Sequence, residues 1–189
     1  MVLYIDACVR DESRTSRLAD ILLGKLTDNS IEKIRLYEED IPELNIDGLK
    51  RRTKACQKGD FSLSDFKYAK QFAAADTIVI AAPYWDLSFP AVLKKYIEAI
   101  CVTGITFKYS EEGIPVGLCN AKDLYFITTA GGPIINPAFG FGYIEMLAKG
   151  MFGINNVRMF SAENLDIIGN DVEQILSESK KTIEDFFEN

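Results

Sequence analysis

The chain has 189 residues, 48% of them hydrophobic and 26% charged, which suits one folded domain over 1–189 and excludes a disordered chain. Its formal net charge of −7 argues against nucleic acid or an acidic membrane surface as a partner. No apolar run reaches membrane-spanning length, and Met1 leads straight into Val2-Leu3-Tyr4-Ile5 without a signal sequence, so a cytoplasmic protein is expected.

Val2–Asp6 reads as a short apolar strand, followed by a polar loop over 7–13. Leu18, Ile21, Leu22 and Leu26 mark one face of a first helix, with Ser13, Thr15 and Ser16 at its start, where hydroxyls cap free N–H groups. Ile31–Tyr37 alternates and predicts a second strand at a sheet edge. Residues 38–61 are polar and contain Pro42, Gly48 and Gly59, so a long irregular connection is expected there. Ser62, with Asp65 three residues on, predicts a capped helix whose stripe is Leu63, Phe66, Ala69, Phe72 and Ala73.

The central stretch is Thr77–Ala82, TIVIAA, a run of the kind that is buried on both faces of a parallel sheet. Pro83 ends it, 83–88 forms an aromatic loop, and Pro90 opens a helix with Val92, Leu93, Tyr96, Ile97, Ile100 and Cys101 on its apolar face. Residues 104–118 predict a small excursion turning near Glu112-Gly113. Asp123–Thr129 is another strand, ending in Thr128-Thr129-Ala130-Gly131-Gly132. Phe139–Phe152 contains a helix, Val157–Ala162 is the last strand, and Asn170 with Glu173 predicts a capping box for the final helix.

Strand and helix alternate about five times, which implies a flavodoxin-like, doubly wound α/β fold: five parallel strands in the order 2-1-3-4-5, with helices on both faces. In that order three loops share one sheet edge, at the switch point where ligands bind. The first carries Cys8, Arg10, Ser13, Arg14 and Thr15, and a helix N-terminus of this kind suits a phosphate. The second carries Pro83, Tyr84, Trp85, Asp86 and Leu87. The third carries Thr128, Thr129, Gly131 and Gly132, where paired glycines let backbone approach a flat ligand.

Chemistry is narrowed by what is missing. There is no histidine, which removes Ser-His and Cys-His nucleophiles and most zinc sites, and no metal site is expected. Cys8, Cys56, Cys101 and Cys119 form no C-x-x-C pair and read as free thiols.

The segments IVIAAPYWDLSFPAVLKKYIEAI, GITFKYSEEGIPVGL and ITTAGG resemble the FMN-dependent NAD(P)H oxidoreductases of the azoreductase and quinone-reductase family, over nearly the whole chain. The resemblance implies FMN as prosthetic group and NADH or NADPH as hydride donor. It implies quinones, azo or nitroaromatic compounds as acceptors, a homodimer, and ping-pong hydride transfer through the flavin with no catalytic side chain. By position, Ser13, Arg14 and Thr15 would hold the FMN phosphate. Tyr84, Trp85, Asp86 and Leu87 would line the isoalloxazine, and Thr128 and Gly131 would meet its far edge. The chain departs from the family pattern at Asp86, where an asparagine is common, at Ala7-Cys8, where a serine is common, and in lacking a Tyr/His pair.

Two alternatives stay open on sequence. Cys8-x5-Arg14-Thr15 matches the phosphate loop of low-molecular-weight tyrosine phosphatases, with Cys8 as nucleophile and Arg14 on the phosphate. The acidic balance also suits a flavodoxin acting as a non-enzymatic electron carrier.

Overall fold

The computed structural model describes residues 1–26 and 30–188. In chain order its elements are β1 (Val2–Asp6), α1 (Arg14–Lys25), β2 (Ile31–Arg35), α2 (Ile46–Lys58), α3 (Lys67–Ala74), β3 (Thr77–Ala81), α4 (Ala91–Ile100), β4 (Phe107–Tyr109), β5 (Pro115–Gly117), β6 (Asp123–Thr129), α5 (Phe141–Leu147), β7 (Asn156–Ala162) and α6 (Val172–Glu188). Five strands form a parallel sheet in the order β2-β1-β3-β6-β7, while β4 and β5 pair separately as an antiparallel hairpin. Counted along the sheet strands alone, this is the expected order 2-1-3-4-5.

The three inner strands are buried along their lengths, apart from Thr77 and Asp123 at their starts. Their side chains alternate between two cores. Leu3, Ile5, Ile78, Ile80, Leu124 and Phe126 face α3 and α4, where Phe72, Leu93 and Tyr96 meet them. Val2, Tyr4, Val79, Ala81, Tyr125 and Ile127 face the other way, onto Leu18 and Leu22 of α1 and Leu176 and Ile183 of α6. Burial on both faces is why these strands read as continuous apolar runs rather than as alternating ones.

Three local expectations are corrected. Residues 38–61 are not an irregular connection, because α2 occupies most of them. Asn45 starts it, its side chain accepting from the Gly48 N–H at 2.9 Å, and Gly59 ends it with φ 65°. Its buried positions are few, so hydrophobic periodicity is faint and only the caps signal it. Arg52 anchors α2 by donating to the carbonyls of Glu98 and Cys101, at the end of α4 remote from the 83–88 loop. Ser62 does not cap the next helix; its N–H and hydroxyl both bond Asp60, and a short 3₁₀ turn over Ser64–Phe66 leads into α3. Asn170 does not cap α6 either. Its amide donates to the Asn164 carbonyl, while the Asp171 carboxylate accepts from the N–H groups of Glu173 and Gln174.

The β4–β5 hairpin turns where expected, with Gly113 at φ 77°. It packs backbone to backbone on the turn that follows α5. A Cβ on Gly117 would lie 2.2 Å from Phe152 and Gly153 main-chain atoms. Gly117→Ala should therefore destabilise the fold by roughly 2–3 kcal/mol in urea denaturation. Gly113→Ala meets no atom within 4 Å and should cost only its left-handed backbone, about 1 kcal/mol.

Candidate functional site

The ends of β1, β3, β6 and β7 open into one cleft of about 310 Å³. Its first wall is the loop after β1 and the start of α1. The Ala7 N–H donates to the Ala81 carbonyl at 2.8 Å, which ties this loop to β3. Ser13 caps α1 as expected, its Oγ accepting from the Ser16 N–H at 3.3 Å. The N–H groups of Arg14 and Thr15 meet no acceptor among the described residues, so the positive end of α1 faces the cleft. The Thr15 hydroxyl is buried and hydrogen-bonds that of Thr129 at 2.6 Å, joining α1 to the end of β6.

The second wall is Pro83, Tyr84 and Trp85. Trp85 and Ser88 exchange both backbone hydrogen bonds, at 3.1 and 2.8 Å. Asp86 and Leu87 between them have φ of 50° and 67°, the primed two-residue turn that matches strand twist. The Ser88 hydroxyl donates to the Phe139 carbonyl at 2.7 Å. The Tyr84 hydroxyl is buried and has no partner among the described residues.

The third wall joins the loops after β6 and β7. The N–H groups of Asn164, Leu165 and Asp166 bond the carbonyls of Gly132, Ala130 and Gly131. Asp166 then reaches Arg14, Nη1 to Oδ1 at 2.8 Å. A Cβ on Gly131 would sit 2.4 Å from the Asp166 carboxylate, so a side chain there would push that carboxylate aside.

The cleft gathers Cys8, Arg10, Ser13, Arg14, Thr15, Pro83, Tyr84, Trp85, Thr129 and Gly131. It leaves out Asp86, Leu87, Thr128 and Gly132. Asp86 and Leu87 occupy the exposed turn tip, and Thr128 is a buried residue one place before Thr129 on β6, on the other face of the strand. The cleft adds Val9, Glu12, Ala130, Leu165 and Asp166, which the sequence reading missed. The only signal for the last two is the stretch E-N-L-D-I-I-G-N, turn-forming residues with two isoleucines that no strand or helix claims.

Charge in the cleft is balanced. Arg10 and Arg14 stand against Glu12 and Asp166, so the uncompensated positive feature is the α1 N-terminus. Asp11 lies outside the cleft and faces Arg35 at 3.6 Å. Cys8 is buried and its Sγ lies 3.8 Å from the Ala81 carbonyl. Burial pushes its thiol up to about 11, opposite to the shift a phosphatase nucleophile needs.

At about pH 8, alkylation of Cys8 should therefore be roughly 100-fold slower than that of an ordinary thiol, read by mass spectrometry of the labelled peptide. The folded thiol holds its proton more tightly than the unfolded one. Stability should thus fall as pH rises from 9.0 towards about 11, and Cys8→Ala should lessen that fall in urea titrations.

A protein-family description, flavodoxin-like fold, matches residues 1–187. An FMN-dependent NADH:quinone oxidoreductase 2 of Clostridium acetobutylicum is 42% identical over 195 residues, covering 97% of this chain and 94% of that protein. An FMN-dependent NADH:quinone oxidoreductase of Clostridium perfringens is 40% identical, covering 94% and 92%. Among solved structures, the azoreductase of Bacillus anthracis superposes with a TM-score of 0.83 at 26% identity, covering 98% of this chain and 97% of that one. The chain belongs to the flavodoxin-like fold family and, within it, groups with the FMN-dependent NADH:quinone oxidoreductases.

Proposed function

We propose that the chain is an FMN-dependent NADH oxidoreductase that reduces quinones and azo compounds. The observation that carries this reading is that the open N-terminal turn of α1 and the Tyr84–Trp85 wall face one cleft. The residues fit FMN. The free N–H groups of Arg14 and Thr15, with Arg10 beside them, suit a phosphate. The buried, unpartnered Tyr84 hydroxyl suits a polar ring edge, and Gly131 lines the cleft without a side chain, which suits a flat ring. No G-x-G-x-x-G follows β1, so a dinucleotide pyrophosphate finds no cradle and FAD should bind worse.

When bound, FMN supplies the hydride-accepting and hydride-donating centre. The chain's own part is binding and orientation. The α1 N-terminus would hold the anionic end, and the Thr15–Thr129 bond keeps α1 in register with β6. Trp85, its backbone fixed by the exchange with Ser88, would give the ring a wall. The cleft is lined by the carboxylates of Glu12 and Asp166 and by Tyr84, and the chain has no histidine.

Exposed apolar side chains gather on the loops around the cleft: Leu87, Ile135, Phe139 and Ile168, the last fully exposed. Such a rim supports a homodimer that covers the site from a second copy. Four free cysteines support a reducing, cytoplasmic setting.

The purified protein should carry a flavin absorbance spectrum, or acquire one with FMN, and should oxidise NADH when a small quinone is added. A colourless protein that takes up no FMN at micromolar concentration would end this reading. Ser13→Ala with Thr15→Ala should weaken FMN by about 1–3 kcal/mol in fluorescence titration. Because Ser13 caps α1, the same pair should also lower stability by about 1 kcal/mol. Phe139→Glu should shift the protein from dimer to monomer in light scattering; a wild-type monomer with full activity would refute the dimer.

A further inference from the structure

Asp6 is a carboxylate 3% exposed at the end of β1, outside the cleft and without a part in the chemistry above. Its Oδ1 accepts from the Cys8 N–H at 3.0 Å. Its Oδ2 lies 3.1 Å from Lys33 Nζ and 3.9 Å from Arg35 Nε, both on β2. Arg35 also reaches forward to Asp11, at 3.6 Å. The loop that leads to Ser13 is therefore tied at Cys8 and at Asp11, and Arg35 takes part in both ties. A buried ion pair is weak evidence for added stability, since desolvation offsets the attraction. What this one does instead is hold an acceptor in one place at the strand end, for the N–H two residues further on.

We propose that Asp6 is the positioning residue of the anion loop: clamped by Lys33 and Arg35, its carboxylate fixes the Cys8 N–H and so sets how residues 7–13 present the α1 N-terminus to the FMN phosphate. The inference rests on the reading that the phosphate sits there. It predicts that Asp6 matters for the phosphate and not for the ring. FMN and riboflavin, which lacks the phosphate, separate the two.

Asp6→Ala and Asp6→Asn should be titrated with both ligands at about 0.5 M salt, where exposed charges are screened. Asp6→Ala should lower FMN affinity by roughly 10-fold or more and leave riboflavin within about 2-fold. Asp6→Asn keeps an acceptor for the Cys8 N–H and should recover most of the loss. Equal losses for the two ligands, or an Asn variant as damaged as the Ala variant, would overturn the proposal. A second measurement needs no variant. In the cofactor-free wild-type chain the Cys8 amide should exchange hydrogen as slowly as the amides of β1. Exchange as fast as that of Arg10, slowed only when FMN is added, would also overturn it. Failure of the wild-type chain to take up FMN would count against the proposed function, and the Cys8 exchange rate would still decide the role of Asp6.

Discussion

Parallel pairing is the constraint on which the rest of this molecule depends. Strands that run the same way end on the same edge, and each needs a crossover to return. Here β1, β3, β6 and β7 deliver four loops to one edge within hydrogen-bond reach of each other. The register makes the contacts specific. Ala7 continues β1 and bonds the Ala81 carbonyl, Tyr84 continues β3 and bonds the Thr129 carbonyl, and Ala130 continues β6 and bonds that of Ala162. Each loop thus begins already attached to its neighbour. The cleft is a by-product of the ladder running past the ends of these three strands.

That edge has a consequence for charge. Two arginines and two carboxylates line the cleft, and one of each is already paired across it, Arg14 with Asp166. Both members of that pair are partly exposed, so it contributes little to stability. The fixed positive potential is the dipole of α1, which cannot rotate away or be titrated. A site built this way depends on the exact placement of α1. The placement comes from below, through Leu18 and Leu22 in the core, and from the side, through Thr15 and Thr129.

The sheet was legible because its three inner strands are buried on both faces, and such strands announce themselves as apolar runs. The loops after β1, β3 and β6 were legible because each holds a local signal: a hydroxyl cap at Ser13, a proline stop at Pro83, paired glycines at 131–132. Helix α2 was not. It buries Gly48 and Ala55, so no stripe marks it, and its evidence lies in Asn45 and Gly59 at its two ends. Leu165 and Asp166 were missed for another reason. Their place in the cleft is made by tertiary pairing with residues 130–132, and the turn-forming stretch 163–170 marks a loop without encoding that pairing. Thr128 and Thr129 show the limit of reading loops as blocks: one residue apart on β6, they fall on opposite faces, and only the second reaches the cleft.

The turn at Asp86-Leu87 shows how far the chain goes to fix its aromatic wall. A primed turn needs two residues with positive φ, and glycine is the usual second one. Aspartate tolerates that region through its short polar side chain, which gives a physical reason for Asn or Asp at position 86. Leucine does not, and its left-handed backbone costs about 1–2 kcal/mol. The compensation is visible on both sides of the turn. Trp85 and Ser88 close two backbone hydrogen bonds, and the Ser88 hydroxyl adds a third to Phe139, the residue that leads into α5. Local strain is thus offset by ties to the loop after β6, so the second wall of the cleft is held from two directions. A glycine at 87 would relieve the strain but remove an exposed apolar side chain from the rim.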